Sequence, residues 1–134
     1  MIVEGSEKIA IRQSGDIVRV RQIVRHWSVR LRFSIVDQTK LVTAASELAR
    51  NTFEHGGGGI CVLESLMEGA RAGLRLRFED EGPGIANVDL ALKDGYTTGS
   101  GMGLGLGGAR RLVDEFAITS HPGQGTQVTI TRWR

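Results

Sequence analysis

Asp80-Glu81-Gly82-Pro83-Gly84 is the stretch on which the reading of this chain turns. Leu74, Leu76 and Phe78 alternate ahead of it, so a strand over Gly73–Phe78 delivers Asp80 at its end. Gly82 and Gly84 then allow the backbone to pass close to something flat or bulky. A buried carboxylate there is suited to accept a hydrogen bond from the exocyclic amino group of adenine. Taken alone, Asp and Gly are equally the residues of a plain turn.

Three further segments change the balance. Upstream, Ser34 with Asp37 three residues later signals a helix start, and the helical spacing runs to about His55. Glu47, Asn51 and His55 are four apart on it and share one face. A neutral Asn carbonyl oxygen suits magnesium, which takes oxygen ligands while bridging substrate phosphates. Glu47, one turn away, is placed to accept a proton from water or a hydroxyl. By itself Glu-x-x-x-Asn reads just as well as an exposed helix face. Downstream, Gly99-Ser-Gly-Met-Gly-Leu-Gly-Leu-Gly107 runs into a helix expected over Leu104–Phe116. Glycines there turn backbone N–H groups toward an anion, and the helix start adds a positive dipole end. No Gly-Lys-Ser/Thr follows and no strand closely precedes, so this is neither a P-loop nor a dinucleotide fingerprint. Last, Gly123-Gln-Gly-Thr126 sits between two terminal strands, Ala117–Ser120 and Thr126–Arg132. The Thr126 hydroxyl is placed to support a base, although a hairpin turn explains the segment too.

Around these segments the chain reads as one α+β domain over residues 1–134. Lys8–Arg12 forms an edge strand, and Asp16 precedes a helix carrying Ile17, Val20, Val24, Trp27 and Leu31. Ile60–Met67 pairs with Gly73–Phe78, and Val88–Lys93 is a short helix before a polar lid, Asp94–Gly99. The expected architecture is one mixed sheet with helices packed on one face. Hydrophobic residues make up 40% and aromatics 5%, so the core rests on Val, Ile, Leu and Ala. The 19 glycines cluster, four at Gly56–Gly59 and seven between Gly95 and Gly108, which points to local backbone duties. The net charge of +2 gives no case for nucleic acid. Arg12, Arg19, Arg21, Arg25, Arg30 and Arg32 crowd the first third, either as a solvated face or as a docking face for an acidic protein. A lone Cys61 in an apolar run fits a reducing cytosol, and no segment reads as a signal peptide or a membrane span. The expectation is a cytoplasmic protein with no membrane or nucleic-acid partner.

In their order along the chain, these segments resemble the GHKL ATPase superfamily of gyrase B, the ninety-kilodalton heat-shock chaperone, histidine kinases and MutL. Glu47…Asn51 is similar to its N box, Asp80-x-Gly82-x-Gly84 to its G1 box, Gly101-x-Gly103-Leu-Gly105 to its G2 box, and Gly123-x-Gly125-Thr126 to its last box. The resemblance implies a Bergerat-type two-layer sandwich binding ATP with magnesium. In that family's terms Asp80, Gly82, Gly84 and Thr126 hold the base, Gly101, Gly103 and Gly105 cradle the phosphates, Asn51 ligates the metal and Glu47 is catalytic. The strings Ser46–Asn51, Glu79–Ile85, Asp94–Thr98, Arg110–Phe116 and Arg132–Arg134 resemble the serine/threonine switch kinases of the bacterial stressosome. That branch implies phosphorylation of STAS-domain proteins of the RsbS and RsbR kind, followed by binding and activation of a PP2C-type phosphatase of the RsbU kind. The alternatives are an anti-sigma factor of the same fold, or an ATP-driven switch without a protein substrate.

Overall fold

The computed structural model describes residues 1–93 and 105–134. Its elements run β1 (Ile2–Ile11), α1 (Gly15–Arg30), α2 (Ile35–Glu54), β2 (Gly59–Glu68), β3 (Arg71–Asp80), α3 (Val88–Ala91), α4 (Leu106–Arg111), β4 (Glu115–Ser120) and β5 (Thr126–Trp133). The strands form one sheet in the order β1-β2-β3-β5-β4. All four ladders are antiparallel, which corrects the expected mixed sheet. β4 runs in the same direction as β3 and would have paired with it in parallel. The hairpin instead docks by its second arm, so β5 lies between them and the parallel pairing never arises.

One face of the sheet carries the apolar residues at alternate positions: Ile9 and Ile11, Cys61 and Leu63, Leu74, Leu76 and Phe78, Val128 and Ile130 are all at most 2% exposed. Against it pack Val20 and Val24 of α1, Leu41, Ala44, Ala45 and Leu48 of α2, and Leu106 and Ala109 of α4. Small alanines on α2 let that helix lie close to the strands. The arrangement is the expected α+β sandwich, with helices on one face.

Local chemistry accounts for where the elements depart from their expected ends. Ser34 caps α2, its hydroxyl accepting from Asp37 N at 3.1 Å. The Asp37 carboxylate does not complete a capping box but turns to Arg132. Asp16 lies inside the first turn of α1 and accepts from Arg12 N and Gln13 N, closing the loop behind it. β1 begins well before Lys8. A bulge between Val3 and Gly5 breaks the alternation, and Glu7 on the inner face accepts from Trp27 Nε1 at 2.8 Å. α4 ends at Arg111, short of Phe116. Asp114 N bonds Thr131 O, and Phe116 and Ile118 pair with Ile130 and Val128, so strand pairing overrides the helical spacing.

Candidate functional site

The site is built at one end of the sheet. Gly59, Asp80, Thr126 and Ser120 pair in register across β2, β3, β5 and β4 and form the last row on the helix-covered face. Above this row lies the C-terminal end of α2. Gly56 abuts the Asp80 side chain so closely that a Cβ there would lie 2.5 Å from Asp80 Oδ2 and 2.6 Å from its Cβ. Gly82 in turn rests on the Gly56 backbone. Gly84 has φ +75° and sits against His121 O, where an added Cβ would clash.

Asp80 is half-buried. Burial raises its carboxyl above the ordinary range, opposed by the N–H groups of Gly82 and Thr126 and by the nearby His55. The Gly82 N–H donates to Oδ1 at 2.9 Å and holds the side chain at the mouth of the glycine loop. His55 Nε2 lies 3.2 Å from Gly84 O, a hydrogen bond in the tautomer protonated on that nitrogen. On the other side, Ile85 N donates to Ser120 Oγ at 2.8 Å and Gly123 N to Pro83 O at 2.7 Å. The loop that follows Asp80 is therefore clamped between α2 and the β4–β5 turn.

Thr126 is buried and its hydroxyl shares a 2.7 Å hydrogen bond with Ser120 Oγ. Ser120 also reaches Gly125 O at 3.1 Å. One Ser120 proton cannot serve both, so when it goes to Gly125 O, Thr126 donates to Ser120 and keeps its acceptor lone pairs.

Asn51 lies just over one turn before Gly56, 6% exposed, and its Oδ1 has no hydrogen-bond partner among the described residues. A buried acceptor left empty is costly unless a ligand fills it. A neutral oxygen of this kind fits a hard cation such as magnesium. No cluster of three or more His, Cys, Asp or Glu able to hold a metal occurs among the described residues. One further turn back, Glu47 Oε1 lies 3.3 Å from Arg50 Nη1, and Gly105 lies against Glu47 Oε2. Gly105 has φ +69° and opens α4. Glu47 and His55 are about 12 Å apart along the axis of α2. The helix thus has an Asp80 end and a Gly105 end with Asn51 between them. Gly101, Gly103 and the Asp94–Gly99 lid lie outside the described residues.

A cavity of about 600 Å³ opens beside this site. It is lined by Ile60, Glu79, Glu81, Gln124 and Gln127 as well as Asp80 and Thr126, but not by Glu47, Asn51 or Gly105. Ile60, Glu79 and Gln127 share one register row and point to the sheet face without helices. The cavity therefore wraps the strand ends, since Gly59, Asp80, Ser120 and Thr126 of the helix-covered row line it as well.

Two contributors escaped the sequence reading. Gly56 was visible only as part of a four-glycine run, and Ser120 carried no motif at all.

Residues 36–133 match the family described as Histidine kinase-, DNA gyrase B-, and HSP90-like ATPase. The chain is 39% identical over 125 residues to the serine/threonine-protein kinase RsbT of Bacillus subtilis, covering 93% of this chain and 94% of that protein. It is 28% identical over 119 residues to an anti-sigma F factor of a Thermoanaerobacter species, covering 84% of this chain and 82% of that protein. Among solved structures, the RsbU and RsbW domains of Rv1364c from Mycobacterium tuberculosis superpose with a TM-score of 0.67 at 24% identity, over 97% of this chain and 33% of that one. The catalytic domain of the histidine kinase ThkA superposes at 0.54 and 15% identity, over 94% and 95% of the two chains. With the glycine-flanked Asp80, the Asn51 Oδ1 left without a partner among the described residues and the Glu47–Gly105 contact on one helix-covered sheet end, the chain belongs to the histidine kinase-, gyrase B- and HSP90-like ATPases, in the branch of the serine/threonine-protein kinase RsbT.

Proposed function

We propose that this chain is a single-domain serine/threonine protein kinase that transfers the γ-phosphate of ATP to STAS-domain proteins of the RsbS and RsbR kind. The observation that carries the site reading is the buried Asn51 Oδ1, without a partner among the described residues, in the last turn of α2 between Glu47 and the Gly56 that abuts Asp80. Asp80 accepts from the adenine amino group, steadied by Gly82 N–H, with Thr126 beside it. Asn51 Oδ1 would hold magnesium, which when bound neutralises phosphate charge. Gly101, Gly103 and Gly105 contribute backbone to the phosphate end. Glu47 accepts the proton of the incoming Ser or Thr hydroxyl. As that oxygen bonds the γ-phosphorus, the bond from phosphorus to the β–γ bridging oxygen breaks and ADP leaves with the electron pair. Such transfer depends mostly on positioning and charge neutralisation, so this short set of groups suffices.

In this reading the hydroxyl comes from the STAS-domain partner and approaches the mouth beside Glu47. Phosphorylation adds roughly −1.5 to −2 charge to the product at pH 7. Next to Glu47 that charge is repelled, so the phosphorylated partner is released and the kinase is free to bind a PP2C-type phosphatase of the RsbU kind. A cytoplasmic setting follows from such partners.

The test is incubation with γ-labelled ATP, magnesium and the STAS protein, beside the Asp80→Asn variant. Label should reach the STAS protein, and Asp80→Asn should weaken ATP binding about ten- to a hundredfold, the worth of one charge-assisted hydrogen bond. Label released only as free phosphate would favour a switch without a protein substrate. Capture of a sigma factor in place of the STAS protein would favour the anti-sigma reading, which the 28% identical relatives keep in view.

A further inference from the structure

Glu47 has two carboxylate oxygens, and their surroundings differ. Oε1 lies 3.3 Å from Arg50 Nη1. Oε2 lies against Gly105 at the start of α4, where an added Cβ would come within 2.5 Å of it. A glutamate free to rotate presents either oxygen, whereas one held at Oε1 presents Oε2 to the space that Gly105, lacking a side chain, leaves beside it. Arg50 immediately precedes Asn51 on α2, so the cation stands next to the proposed metal ligand while remaining 48% exposed. Its partner Glu47 is 37% exposed. An exposed pair at this spacing contributes little to the fold, which leaves its position as its main consequence.

We infer that Arg50 is a positioning residue for phosphoryl transfer: it fixes Glu47 Oε1 so that Oε2, on the Gly105 side, is the oxygen that receives the substrate proton. The inference rests on the role proposed above for Glu47. Arg50 itself gains and loses no proton in the step. The hydroxyl proton passes to Glu47 Oε2, the hydroxyl oxygen bonds phosphorus, and the electron pair of the broken bond departs with ADP. The planar guanidinium fork matters more than its charge here, because only a fixed donor direction selects one carboxylate oxygen. Lysine at this position supplies the charge without the fork.

The experiment uses Arg50→Met and Arg50→Lys, each alone and combined with Glu47→Gln. It measures binding of Mg-ATP by calorimetry, kcat and KM for label transfer to the STAS protein, phosphate release to water, and melting temperature. Arg50→Met should lower kcat about tenfold, as expected for a misplaced catalytic group. ATP affinity and melting temperature should stay near those of the parent, and Arg50→Lys should recover part of the rate. In the Glu47→Gln background Arg50→Met should cost nothing further, since the group it positions is gone. An unchanged kcat in Arg50→Met, or an equal loss in both backgrounds, overturns the inference; the second result would mean that Arg50 acts on the phosphates directly. A matching loss of ATP affinity would place Arg50 in nucleotide binding instead. Full turnover of Glu47→Gln alone would remove the proposed base, a failure of the underlying reading that this single variant reveals separately.

Discussion

Replacing Gly56 by alanine should damage the proposed nucleotide site without altering any residue proposed to contact the nucleotide. The new methyl would meet the Asp80 side chain, lying 2.6 Å from its Cβ. That Cβ is fixed to the backbone of β3, so rotating the carboxylate away cannot relieve the contact. Either the end of α2 or the end of β3 must shift. Overpacking of this kind costs about 1–3 kcal/mol. For a domain of 134 residues this corresponds to a fall in melting temperature of roughly 3–15 °C. A displaced Asp80 would also lose the bond to adenine proposed for it, worth about ten- to a hundredfold in affinity. Thermal melting and ATP calorimetry read the two effects separately. The double variant Gly56→Ala, Asp80→Gly then separates sterics from chemistry. It removes the Cβ that the new methyl meets, so stability should return toward that of Asp80→Gly alone, while ATP affinity stays low. A Gly56→Ala protein with parental stability and parental ATP affinity would refute the close approach of α2 to Asp80.

Other perturbations reach other parts of the molecule. Asn51→Ala should leave the fold intact and abolish label transfer, because it removes the hard oxygen proposed to hold magnesium; transfer at the parental rate would refute that role. Asp37→Asn should cost about 1–2 kcal/mol, since it weakens the bond from Arg132 that ties the start of α2 to β5. Arg132 holds the Asp37 carboxyl below the usual range, so its stabilisation is complete above the unfolded value near 4 and is lost as pH falls through the lower folded value. The stability gap between parent and Asp37→Asn, followed by denaturant titration from about pH 6 to pH 2, should therefore close on acidification, and a gap that widens would contradict the pairing. Burial pushes the Cys61 thiol up to about 12. Cys61 should therefore resist thiol reagents in the folded protein at pH 8 and react only on unfolding, and rapid native labelling would show that β2 opens.

Much of the fold was legible because its cues were local. Ser34 and the apolar spacing after it mark α2 nearly to the residue, and the alternation of Leu74, Leu76 and Phe78 marks β3. What could not be read depends on partners far away in the chain. The start of β1 is disguised by a bulge at Gly5 and by Glu7, whose inward position makes sense only beside Trp27. The end of α4 is decided by Asp114, which accepts from Trp133 N at 2.7 Å, a bond with no sequence mark. The order β3-β5-β4 depends on which arm of a hairpin docks, and composition does not distinguish the arms. The same contrast holds at the site. Asp80, Asn51 and Glu47 stand in recognisable spacings. Gly56 and Ser120 contribute only by touching Asp80 and Thr126 across the fold, and nothing near them in sequence announces it.

The position of β5 has a consequence for how the protein is made. This strand is the last element in the chain, yet it occupies the interior of the sheet, paired on both sides. β3 ends at Asp80 and β5 begins at Thr126, with 45 residues between them, so closing that ladder is a long-range and slow step of folding, comparable with closing the β1–β2 ladder. The Asp80–Thr126 row is completed by the same docking event. A partly folded chain holding β1, β2 and the first two helices therefore has half a nucleotide pocket, and ATP cannot stabilise it. Nucleotide present during synthesis acts only after the terminal hairpin has inserted, when it slows unfolding without hastening the fold.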